Sequence, residues 1–116
     1  MAEDEVEPKK KNPIGATGRA VAENVKRLRI ARGLGFTDLA AELERVGKPI
    51  PTLGLRHIES CKRRVDVDDL AALATVLEVS PATLLMPDAA TVDPETLVSI
   101  TGILRSVPAK QVWEWL

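Results

Sequence analysis

Between Phe36 and Val46 the apolar side chains fall at Phe36, Leu39, Ala40, Leu43 and Val46. That is the i, i+3, i+4, i+7 spacing of a helix with one buried stripe. Gly47, Pro49 and Pro51 then punctuate a turn. A second, shorter helix follows over Thr52–Ser60, with Pro51 or Thr52 in a first turn where a missing N–H is no loss. In it Leu55 and Ile58 can face a core, which leaves Thr52, Leu53, Arg56 and His57 pointing elsewhere. Lys62, Arg63 and Arg64 come directly after it. A helix, a turn, a short helix with a polar outer face and a basic exit therefore constrain everything around them.

Charge becomes informative once it is placed on this stretch. The chain as a whole carries a net charge of −1, yet within 48–64 five Lys or Arg and His57 stand against Glu59 alone. A short helix with exposed polar side chains and a local basic exit has the make-up of an element that enters the DNA major groove. Aromatics make up 3% of the chain and there is no Tyr, which argues against single-strand or RNA binding built on stacked bases. The single cysteine allows no intrachain disulfide and no cysteine-built metal site. His57, the one histidine, does not complete a zinc site with Cys61. No Ser-His-acid set and no phosphate-cradling glycine loop is present, so neither an enzyme nor a cofactor is expected. Without a leader pattern or an apolar run of about 18 residues, the chain reads as cytoplasmic, associated with the nucleoid when bound to DNA.

The flanking segments read as support. Residues 1–18, with an acidic cluster, Lys9-Lys10-Lys11, Pro13, Gly15 and Gly18, lack apolar periodicity and read as a flexible charged tail. A first helix runs from about Arg19 to Arg32 on Val21, Val25 and Leu28, and Gly33 stops it. Thr37 and Asp38 favour the start of the Phe36 helix. Gly54 inside a short helix costs about 1 kcal/mol against Ala. Its purpose is either close approach to a groove or tight packing against the preceding helix. Asp66 caps a fourth helix with Val67, Leu70, Leu73, Ala74 and Leu77 inward, and Ser80-Pro81 starts a short fifth that Pro87 ends.

Over residues 19–87 these pieces resemble the phage repressor and Cro type of helix-turn-helix domain, the XRE-like family. The resemblance is carried by the Arg32-Gly33-Leu34 corner, Leu39-Ala40, Ile58-Glu59-Ser60 with the basic cluster after it, the Leu70–Leu77 run, and Val79-Ser80-Pro81 to Leu84-Leu85. It implies an all-α, five-helix lambda-repressor-like domain whose third helix reads double-stranded DNA. By position, Thr52, Leu53, Arg56 and His57 fall on base edges or a flanking phosphate. Thr37, Lys48, Lys62, Arg63 and Arg64 would position the domain on phosphates. Three departures stand out: Phe36 where the family often has a phosphate-binding Gln, a Gly47–Pro51 turn about two residues longer than usual, and Cys61 in place of a common Gly.

Residues 88–116 read as a C-terminal helical extension. Asp93-Pro94-Glu95 starts one helix, with Leu97, Ile100, Thr101 and Leu104 on a face, and Ser106-Val107-Pro108 starts another carrying Val112, Trp113, Trp115 and Leu116. Repressors that bind two half-sites do so as dimers. Leu97, Ile100, Leu104, Val112, Trp113, Trp115 and Leu116 are thus the candidate homodimer interface. The expected function is a sequence-specific transcriptional regulator, a repressor of phage or bacterial type. The alternative is an antitoxin, with the same DNA-binding domain and a toxin-binding partner surface in 88–116.

Overall fold

The computed structural model describes residues 13–87 and 93–116. The described chain is mostly helical: α1 Ala16–Ala31, α2 Phe36–Arg45, α3 Thr52–Glu59, α4 Val67–Leu77, α5 Pro81–Leu85, then strands β1 Leu97–Val98 and β2 Val107–Pro108, and α6 Ala109–Trp115. The lysine triplet of the N-terminal segment lies outside the described residues.

The first five helices share one core. Val25, Leu39, Leu43, Leu55, Ile58, Leu73 and Leu84 are each at most 1% exposed and pack as a single cluster. Each is supplied by the stripe of its own helix, so local periodicity determines which face turns inward. Ile50 joins them at 1% exposure. The Gly47–Pro51 turn thus serves packing, because it turns Ile50 into the main core.

Helix ends are set by local chemistry. Asp66 Oδ1 accepts from the Asp69 N–H at 2.7 Å while Asp69 Oδ2 accepts from the Asp66 N–H at 3.3 Å, a reciprocal capping box at the start of α4. Ser80 Oγ accepts from the Thr83 N–H at 3.1 Å, with Pro81 opening α5. All of α1 to α4 stop in the same way. The residues after them, Gly33, Gly47, Cys61 and Glu78, adopt φ of 69°, 85°, 62° and 61°. At α3 the Lys62 N–H reaches back to the His57 carbonyl at 2.8 Å and the Cys61 N–H to Ile58 at 3.1 Å, the paired bonds of a Schellman cap. Glycine tolerates this left-handed turn; cysteine carries the Cβ clash. Cys61→Gly should therefore raise the unfolding free energy by about 0.5–1 kcal/mol, net of the extra freedom glycine gives the unfolded chain. The readout is a higher urea midpoint at unchanged m-value.

Two expectations need correction. The charged tail expected over residues 1–18 ends earlier, because Ala16, Thr17 and Gly18 form the first turn of α1. A Cβ at Gly18 would collide with the Ile14 side chain, so this glycine marks close packing and not flexibility. Helix α1 has no side-chain cap of its own at Gly15. Thr101 supplies one from the far end of the chain: its Oγ1 accepts from the Thr17 N–H at 3.0 Å, and Thr17 Oγ1 accepts from the Thr101 N–H at 2.9 Å.

The second correction concerns 93–104, expected as a helix. Asp93-Pro94-Glu95 forms a turn, with the Thr96 N–H on the Asp93 carbonyl at 2.9 Å and the Glu95 N–H on Asp93 Oδ1 at 2.9 Å. β1 then pairs antiparallel with β2, Val98 opposite Val107 and Leu97 opposite Pro108. Val98 and Ile100 are buried while Leu97 and Ser99 are exposed, the period of two that a strand imposes. Gly102 at φ 93° turns the chain between the strands. Met86, Val98, Ile100, Val107, Ala109 and Val112 close a small second cluster.

Candidate nucleic-acid interface

Helix α3 is split cleanly along its length. Gly54, Leu55 and Ile58 are buried, Leu53 and Arg56 are exposed, and Thr52 and His57 lie between. The buried set follows from helical spacing, and it forces the other set outward. Burial also decides between the two readings of Gly54. A Cβ there would run into the Arg63 guanidinium and come to 3.1 Å from the Ile50 methyl, so the glycine admits those side chains behind the helix.

The outer face of α3 borders a shallow hollow of about 470 Å³ lined by Lys26, Phe36, Leu53, Arg56, His57, Glu59, Ser60 and Lys62. Lys26 comes from α1 and was not singled out from the sequence. Its place here is a through-space relation that no local pattern encodes. Phe36 is the organising residue. The Arg29 guanidinium carbon lies 4.1 Å from its ring centroid and that of Arg56 lies 4.5 Å away. The ring attracts both cations through its quadrupole. Phe36 thus holds the Arg56 guanidinium beside the hollow.

Below Phe36 lies a fork of charge-assisted bonds. Arg29 Nε donates to Glu59 Oε2 at 2.6 Å, Nη2 to Oε1 at 3.0 Å and Nη1 to the Leu34 carbonyl at 2.9 Å. Their side chains are 12% and 7% exposed, so the pair sits largely out of water and ties α1 to the last turn of α3. The hydrogen bond to Glu59 raises the Arg29 pKa above the ordinary arginine value against the opposing effect of burial, and charge attraction adds to it.

The residues expected on phosphates divide. Thr37 is exposed in the first turn of α2, and Lys62 is exposed beside the hollow. Lys48 and Arg63 turn instead toward a buried carboxylate. Lys48 Nζ stands 3.6 Å from Asp69 Oδ1, and Arg63 Nη2 stands 3.7 Å from Asp69 Oδ2. Asp69 is 2% exposed. Arg64 donates from Nη2 to the Pro13 carbonyl at 3.2 Å.

Burial also revises the expected dimer surface. Ile100 at 6% and Val112 at 3% exposure are core members of the C-terminal cluster, where strand and helix turn them inward. Leu97, Leu104, Trp113, Trp115 and Leu116 remain exposed. Among the described residues no helix is long and apolar enough to cross a membrane, and no group of three or more His, Cys, Asp or Glu is placed to hold a metal ion. Comparison with protein-family models, with curated proteins and with solved structures finds no match for this chain.

Proposed function

We propose that the chain is a sequence-specific double-stranded DNA-binding regulator of the phage repressor and Cro type, a five-helix lambda-repressor-like domain whose α3 enters the major groove. The observation that carries this reading is the division of α3. Its polar face is outward, Arg56 is stacked on Phe36, and Lys26 and Lys62 flank it while its apolar face is sealed in the core. In this reading Arg56 forks onto guanine O6 and N7, and Leu53 with the Thr52 methyl meets a thymine methyl. His57 lies at the edge of the base contacts. Lys26, Lys62 and Thr37 meet phosphates and set the register without reading sequence. Two copies would occupy two half-sites, joined through the exposed Leu97, Leu104, Trp113, Trp115 and Leu116.

Selection of bound duplexes from a random pool, repeated with Arg56→Ala, tests the assignment. The expected result is a defined site for the wild type and loss of preference at one base position, worth about 1–3 kcal/mol, for the variant. Equal weakening on every sequence, with preference intact, would remove Arg56 from the reading role. Absence of any preferred site for the wild type would overturn the proposal itself.

A further inference from the structure

Arg56 is held by a ring and by nothing else on its side chain. It is exposed on the outer face of α3, and among the described residues its guanidinium makes no hydrogen bond and no ion pair. Lys26, His57 and Lys62 share the hollow with it and offer no carboxylate. Glu59 also lines the hollow, but both of its oxygens accept from Arg29, at 2.6 and 3.0 Å. The attraction left to Arg56 is the Phe36 ring, whose centroid is 4.5 Å from the guanidinium carbon. A ring attracts the charge without occupying the N–H fork as a carboxylate would, which leaves those donors for a ligand.

The ring itself is fixed. Phe36 opens α2 and packs, half-buried, against the main core. Arg29 stands 4.1 Å from the same centroid, tied to Glu59 and to the Leu34 carbonyl. Because Glu59 balances the Arg29 charge, Arg56 meets a ring backed by an ion pair of no net charge. An unbalanced Arg29 would repel it. We propose that Phe36 is a specificity-determining positioning residue, which touches no base and acts by holding Arg56 with its N–H fork available to one. This role rests on the reading of α3 as the helix that meets DNA. An exposed arginine has wide rotamer freedom, and ordering it on binding weakens the contact it makes. A cation–ring contact at an exposed site, worth about two- to fivefold in an equilibrium, removes part of that ordering beforehand. The gain falls on the base that Arg56 meets and not on the phosphate contacts, so it is a gain in preference.

The unbound protein and its DNA complex test the role separately. Phe36 is the one phenylalanine and there is no tyrosine, so its ring protons stand apart from those of the two tryptophans. In the NMR spectrum of the unbound wild type, the Arg56 side-chain protons should show cross-relaxation to the Phe36 ring and upfield ring-current shifts, a measurement that needs no variant to fold. Phe36→Leu, which keeps an apolar side chain on the core, should abolish those shifts, and Phe36→Tyr should retain them. On duplexes, a double-mutant cycle between Phe36→Leu and Arg56→Ala isolates the coupling. Phe36→Leu alone should lower preference about two- to fivefold at the base position that Arg56→Ala marks. It should cause no further loss of preference in the Arg56→Ala background, and Phe36→Tyr should restore the wild-type preference. Arg56 protons without ring contact in the unbound protein overturn the proposal. So does a Phe36→Leu loss that is equal on every duplex, or one that is the same in both backgrounds, since either marks the ring as packing alone. A wild type that prefers no duplex removes the reading of α3 and this role with it. A wild type with a preferred duplex, and that preference intact in Phe36→Leu, overturns this role alone.

Discussion

Arg29→Met is expected to lower the unfolding free energy by about 3–5 kcal/mol, the cost of stranding one member of a largely buried ion pair. The effect exceeds that of a typical surface charge because Glu59 is 7% exposed and receives two of the three Arg29 bonds. With Arg29 gone, its carboxylate keeps the burial and loses both donors. The Leu34 carbonyl loses its donor as well, and Phe36 loses one of its two cations. Arg29→Met combined with Glu59→Leu should recover much of the loss, since apolar replacement of both partners is often near neutral. Denaturant melts of the two variants give the comparison. A double variant as unstable as the single would show that packing of the Arg29 stem, and not the unpaired carboxylate, sets the cost. The pH dependence has a definite sign. A folded pKa raised above the unfolded value contributes stability that is fully present below the unfolded arginine pKa and lost only as pH rises through the folded one. Both lie far above neutrality, so the Arg29 side adds no slope between about pH 5 and 9.

The five helices of residues 16–85 were legible because what makes them is local. The stripe of Leu39 and Leu43, the Asp66 and Ser80 caps, and glycine at 33 and 47 each act within one or two turns. What escaped was contact across the chain. The cap on α1 comes from Thr101, 84 residues away, and so the helix starts earlier than its own residues suggest. Asn24, 1% exposed, donates from Nδ2 to the carbonyls of Leu84 and Met86 at 2.9 and 2.7 Å, tying α1 to the end of α5. A polar residue in a helix gives no sequence signal of that duty. Residues 93–104 misled for another reason. Asp93-Pro94-Glu95 fits a turn as well as a helix start, and Leu97, Val98 and Ile100 fit either period over so short a span. The pairing of Val98 with Val107 and the turn at Gly102 decide it. At the candidate interface, the outward set on α3 was readable from its buried complement. The direction taken by each cation was not, because Lys48 and Arg63 are turned by Asp69, a residue whose sequence context announces only a helix cap.

That turning gives the second large effect. Asp69→Asn should steepen the salt dependence of DNA binding, by up to about 1.8 in the slope of log K against log salt, if both released cations reach phosphates at about 0.9 each. Asn nearly preserves shape and still offers an oxygen to the Asp66 N–H, so the capping box of α4 has a route to survive. It removes the charge that holds Lys48 at 3.6 Å and Arg63 at 3.7 Å, distances of ionic attraction and not of hydrogen bonding. Asp69 Oδ1 has no hydrogen-bond partner, so the substitution breaks no such bond at that atom. Both cations are more than a third exposed, and the loss of stability should stay near about 1 kcal/mol once solvent screening is counted. Binding to random duplex at low salt should strengthen, and the ratio of specific to non-specific affinity should fall, because added phosphate contacts favour every sequence alike. The direction separates this account from a purely structural one. If Asp69 only braced α3 between its two flanking cations, its loss would weaken binding to the preferred site and leave the slope unchanged or shallower. Titrations of preferred and random duplexes across a salt series, wild type beside Asp69→Asn, distinguish the two outcomes by sign.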